Sequence, residues 1–134
     1  MPKLSFVEGI GPVYEEKLNS IGIKSTEKFF EVAATKKGRR ELAEKSGISE
    51  KLILEWTNMI DLFRIKGVGA EYADLLEAAG VDTVVELAGR RADNLTMKMI
   101  EVNSQKKLVR VLPTLKMVEG WIAQAKELPR GVEY

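Results

Sequence analysis

Apolar residues along the chain recur three and four positions apart, the spacing that puts them on one side of a helix. The clearest stripe is Leu52, Ile53, Trp56, Met59, Ile60 and Phe63, and a shorter one joins Phe29, Phe30 and Ala33. Between the stripes stand residues that start or stop helices. Ser5 and Glu8 have capping-box spacing and predict a short first helix. Pro12 suits the first turn of a second helix, predicted to run to about Ile21 and to end at Gly22. Ser25 opens a third, through about Ala34; Gly38 precedes a fourth over RRELAEK that Gly47 ends; Ser49 caps a longer one through about Arg64. Thr83 and Glu86 form another capping box, and Pro113-Thr114 start the last helix. No alternating strand pattern competes, so the predicted fold class is all-α.

The chain repeats itself. VEGIGPVYEEKLNSIGIKST (7–26) lies over IKGVGAEYADLLEAAGVDTV (65–84) at a constant offset of 58. Gly9 falls on Gly67, Gly11 on Gly69, Tyr14 on Tyr72, Leu18 on Leu76 and Gly22 on Gly80. Trp56 answers Trp121 at an offset of 65, so the second copy has gained about seven residues. The expected organisation is one repeat over 1–62, a second over 63–128, and a frayed tail over 129–134. The long helix leading into the second copy favours one pseudo-symmetric body.

Composition removes several chemistries. The chain has 134 residues without cysteine or histidine, which excludes disulfides, thiolates, the commonest general base and the commonest zinc ligand. A chain of this length buries roughly two thirds of its unfolded surface, enough for a core without staples. No apolar run has the length of a membrane span or a signal peptide, so a soluble, cytoplasmic protein with no membrane partner is expected. Net charge is only +1, but it is unevenly placed. Glu71, Asp74, Glu77, Asp82 and Glu86 crowd the front of the second copy, and Arg90, Arg91, Lys98, Lys106, Lys107, Arg110 and Lys116 its back. The first copy follows the same trend more softly.

The segments GIGPVYEEKLNSIGI and GVGAEYADLLEAAGV resemble the helix-hairpin-helix motif of many DNA repair, replication and recombination proteins. The longer repeat, with GRRELAEKSGIS and the paired tryptophans, is similar to an uncharacterised prokaryotic family of tandem helix-hairpin-helix proteins, a domain of unknown function. The resemblance implies two tandem helix-hairpin-helix repeats in a SAM-like bundle. It also implies that the hairpin amides around Gly9–Gly11 and Gly67–Gly69 offer N–H groups to a phosphate oxygen, a contact that positions a backbone and reads no sequence. The DNA-binding versions carry a lysine or arginine just after the second glycine. Here Pro12-Val13 and Ala70-Glu71 follow it, with Glu15, Glu16 and Asp74 beyond, and only Lys17 and Lys66 are basic nearby. The other reading of both hairpins is structural, a joint that packs helices through Ile10, Tyr14, Val68 and Tyr72.

Basic segments supply the remaining candidates. Lys36, Lys37, Arg39 and Arg40 lie in TKKGRR, Arg90 and Arg91 in GRR, and Lys106, Lys107 and Arg110 in SQKKLVR, where i, i+1, i+4 spacing predicts one helix face. Phosphates neutralised by such faces give salt-dependent affinity without specificity. The ordinary alternative is a solvated surface. Trp56 and Trp121 read as core anchors. With no nucleotide loop, metal constellation or nucleophile pair, the expectation is no enzyme, no catalytic residue, no metal and no cofactor. The expected function is a non-catalytic binding module for nucleic-acid backbone, DNA in the first place; a protein-interaction or scaffold module with purely structural hairpins is the alternative.

Overall fold

The turn at Gly9 is built the same way as the turn at Gly67. In a computed structural model that describes residues 3–134, the carbonyl of Val7 accepts from the Ile10 N–H and that of Ile65 from the Val68 N–H, both at 3.1 Å. The third residue of each turn is the glycine, with φ of +96° at Gly9 and +93° at Gly67, as a type II turn demands. Met1 and Pro2, the first residues of the expected first repeat, lie outside the described residues. A helix follows each turn: α1 (Pro12–Ser20) with Gly11 as N-cap, and α5 (Ala70–Ala78) with Gly69 as N-cap. Both end alike. Ile23 N–H bonds Leu18 and Val81 N–H bonds Leu76, while Gly22 and Gly80 sit at positive φ, the Schellman arrangement. The backbone hydrogen bonds therefore recur at the offset that the residue identities keep.

Side-chain oxygens set five of the other six α-helix starts among the described residues. Ser25 accepts from the Lys28 N–H to open α2 (Thr26–Ala33), Thr35 from Gly38 to open α3 (Lys36–Ser46), and Ser49 from Leu52 ahead of α4 (Glu50–Leu62). Thr83 accepts from Glu86 to open α6 (Val84–Ala88), and Thr114 from Met117 to open α8 (Leu115–Glu127). Between them α7 (Ala92–Lys106) has 15 residues where α3 has 11. The extra residues of the second half thus lie in α7 and in the 107–114 segment that follows. Among the described residues the structure is all-helical, with no strand.

Three expected boundaries are corrected. Ser5 does not cap a helix: it stands inside a single 3-10 turn, Leu4–Phe6, whose N-cap is Lys3. Gly38 does not precede its helix but is built into the first turn, because Thr35 captures its N–H. Lys106, Lys107 and Arg110 do not share a helix face: α7 ends at Lys106, Lys107 turns left-handed at φ +51°, and Arg110 lies in the loop beyond. Asn103 fixes that loop, its amide bonding both the N–H and the carbonyl of Val109.

The chain divides into two compact units, one of residues up to Asp61 together with Gly131–Tyr134, the other Leu62–Arg130. In the first, Trp56 is 1% exposed and packs edge-on against Tyr14, centroids 5.2 Å apart, with Phe29 at 6.2 Å. In the second, Trp121 meets Tyr72 at 5.2 Å, and α8 packs on α6 and α7 around Leu75, Leu76, Leu87, Leu95 and Met99. Both tryptophans are core anchors. No helix among the described residues is long and apolar enough to cross a membrane.

Candidate nucleic-acid interface

A helix start leaves its first amides without intrahelical acceptors, and a side chain at the N-cap ordinarily takes one of them. Gly11 and Gly69 have no side chain to offer, so α1 and α5 begin uncapped, as α7 does behind Arg91, whereas α2, α3, α6 and α8 carry a serine or threonine. Gly9 and Gly11 are exposed, and a Cβ on Gly11 would meet nothing within 4 Å. Gly67 is exposed and Gly69 half-buried. Val13 is 67% exposed in the first turn of α1, and Glu15 and Glu71 lie in the first turns. Lys17 is exposed with its Nζ 5.8 Å from the centre of the Tyr14 ring. The backbone N–H and carbonyl of Lys66 are both taken by the Gln124 amide, at 2.8 and 3.2 Å, which locks the second turn to α8 and leaves the exposed side chain outside.

The basic segments separate into available and committed cations. Lys36, Lys37 and Arg40 are exposed on α3. Arg39 is not: it is 5% exposed, and its guanidinium donates to the carbonyls of Ala33, Ala34 and Glu133. Burial lowers its pKa from the ordinary arginine value, opposed by the nearby Glu133, Tyr134 and Glu50. As a phosphate contact Arg39 is therefore corrected to a structural ion. Helical phase explains it, since Arg39 lies three residues before the buried Leu42. Arg90 is half committed, bonding Glu86 and the Gly80 carbonyl. Arg91 pairs with Asp93 at 2.9 Å, yet its side chain stays 75% exposed. Lys106, Lys107 and Arg110 are exposed.

Within the second unit Arg90 and Arg91 come together with Lys126, a residue outside the basic segments, around an open groove of about 590 Å³. Its apolar floor is Leu115, Ile122 and Ala123, and its acids are Asp93 and Glu119. Lys126 was legible only from α8 and α6 being neighbours, which joins residues far apart in the chain. Among the described residues no group of three or more acidic side chains is placed to hold a metal. Asp61 on α4 is wholly buried but engaged by partners of its own.

The expected frayed tail is also corrected. Val132 is 1% exposed, Glu133 N–H donates to the Ala34 carbonyl at 2.8 Å, and the Tyr134 hydroxyl reaches Asn58 at 3.3 Å. Residues 8–128 match the family described as Domain of unknown function (DUF4332). No curated protein and no solved structure matches the chain.

Proposed function

The chain belongs to the DUF4332 family, and we propose that it is a non-catalytic binding protein of two tandem helix-hairpin-helix repeats that takes the phosphate backbone of a DNA duplex without reading sequence. One observation carries the reading: an uncapped helix start behind a positive-φ glycine occurs at both Gly9–Gly11 and Gly67–Gly69, leaving unpaired amides at the positive end of a helix dipole. Lys36, Lys37, Arg40, Lys106, Lys107 and Arg110 supply exposed charge. Glu15 and Glu71 oppose it, so the affinity expected is that of non-specific binding, about 10⁻⁴–10⁻⁶ M at physiological salt.

The test is fluorescence anisotropy with a labelled duplex of about 20 base pairs across a salt series. A Val13→Glu variant sets a carboxylate among the α1 amides while favouring the helix dipole, so it weakens binding without unfolding. A Lys106→Ala/Lys107→Ala/Arg110→Ala variant lowers the slope of log affinity against log salt by about one for each phosphate it no longer neutralises. Absence of binding by folded wild type at low salt sinks the proposal. A second reading, a protein-interaction module, draws on the exposed apolar side chains of the second unit, among them Met97 and Val111, each 70% exposed. Apolar association would hold or tighten as salt rises.

A further inference from the structure

Within the first unit, residues 131–134 occupy part of a groove against α2, α3 and α4. Both backbone polar groups of Glu133 are satisfied there: its N–H by the Ala34 carbonyl at the end of α2, its carbonyl by Arg39. Its carboxylate accepts from the Lys36 N–H at 3.4 Å, at the start of α3, where a helix dipole favours negative charge. Val132 is sealed at 1% exposure, and Tyr134 bonds Asn58. Main-chain pairing plus side-chain seats is the way extended peptides are commonly recognised. The segment does not fill the site. A cavity of about 330 Å³ remains beside Tyr134, lined by Lys36, Arg39, Glu50, Lys51 and Leu54, and its surface is almost wholly apolar.

We propose that this groove is a docking site for an extended segment of a partner protein with an apolar, an acidic and an aromatic residue in succession, and that Val132-Glu133-Tyr134 is an internal stand-in which the partner displaces. Three features support a partner larger than the stand-in. The unfilled cavity gives a bulkier segment apolar surface that Tyr134 does not cover. Its apolar wall suits an aliphatic or aromatic side chain. Arg39 remains paired by the Ala33 and Ala34 carbonyls when Glu133 leaves, so opening the groove strands no buried charge. The groove is separate from the hairpins and does not rest on the phosphate reading.

The experiment uses the full chain. A Val132→Asp/Tyr134→Ala variant releases the internal segment, and a fluorescein-labelled peptide LPRGVEY is titrated by anisotropy. The variant binds the peptide saturably, and wild type binds at least tenfold more weakly, because its own segment competes at an effective concentration in the millimolar range. Adding Arg39→Met to the released variant abolishes binding. A folded variant that binds no peptide overturns the proposal. If the variant does not fold, wild type is observed by NMR with unlabelled peptide at about 5 mM, above that effective concentration. Displacement shifts the Glu133 amide and Asn58 side-chain resonances, and unchanged resonances overturn the proposal. A wild-type dimer that Val132→Asp converts to monomer also overturns it, in favour of exchange between copies.

Discussion

The indole nitrogen of Trp56 lies 3.0 Å from where a Cβ on Gly9 would stand. Trp121 stands 3.2 Å from the same position on Gly67. The glycines therefore meet two demands at once, a positive φ and the close approach of a tryptophan from the last helix of the repeat. The tryptophans and glycines recur together because each seats the other.

Gly9→Ala and Gly67→Ala are expected to cost about 1–3 kcal/mol, combining left-handed strain with displacement of the indole. Gly11→Ala, at φ −85° with open space around its Cβ, is expected to cost less than about 1 kcal/mol. Urea unfolding followed by tryptophan fluorescence separates them. Equal effects at Gly9 and Gly11 would show that the turn tolerates a side chain.

Gly38 reverses the usual helix rule. Alanine is favoured over glycine within a helix by about 1 kcal/mol. Yet a Cβ at Gly38 would stand 1.8 Å from the Val32 carbonyl oxygen, so α2 and α3 meet backbone to backbone there. Gly38→Ala is expected to destabilise by about 3 kcal/mol, as overpacking against a backbone with no flexible neighbour to yield. A rise in the urea midpoint would mean that the close approach carries no weight.

That residue also marks the limit of what the sequence shows. Helix starts at Ser25, Ser49, Thr83 and Thr114 were legible because a cap acts within three residues of itself, and the one at Pro12 because proline suits a first turn. The tryptophans were legible because a repeated stripe marks a core. Thr35, a cap acting on Gly38 three residues on, is what puts Gly38 inside its helix; only the close approach to Val32, across a helix junction, is encoded by no local rule. Among the candidate site residues, the phase of α3 through Leu42 distinguishes Arg39, facing inward, from Arg40, facing outward, once the helix is started from Thr35. The docked segment 131–134 was illegible, because its partners Ala34, Arg39 and Asn58 are more than seventy residues away in the chain.

Arg39 and Arg40 are adjacent, and their expected phenotypes are opposite. Arg39→Met leaves carbonyls of Ala33, Ala34 and Glu133 without their donor and is expected to cost about 3 kcal/mol. Arg40→Ala, on the exposed face, is expected to change stability by no more than about 0.5 kcal/mol and to weaken duplex binding instead. Thermal melts paired with anisotropy read both. A destabilised Arg40→Ala with unchanged binding would invert the assignment of the two side chains.

Asp74 on α5 sets a pH dependence of unusual sign. Burial raises its pKa above the ordinary aspartate value, and Lys106 only partly offsets this. The folded chain thus takes up the proton more readily than the unfolded one. Relative to the ionised state, stability rises as pH falls through the folded pKa, and the gain is complete below the unfolded value. Asp93 runs the other way. The Asn94 N–H and then Arg91 hold its carboxylate below the ordinary value, so its contribution is present above the unfolded pKa and is lost as pH falls through the folded one. The Asp74 effect is isolated by Asp74→Asn, which removes the charge in a side chain of nearly the same shape. The variant is expected to be more stable than wild type at pH 7, with the difference in urea midpoint shrinking as pH falls and closing near pH 3, where aspartate is protonated in both states. A difference that persists unchanged to pH 3 would assign the effect to packing of the amide, and no gain at pH 7 would show that the Asp74 carboxylate carries no burial penalty.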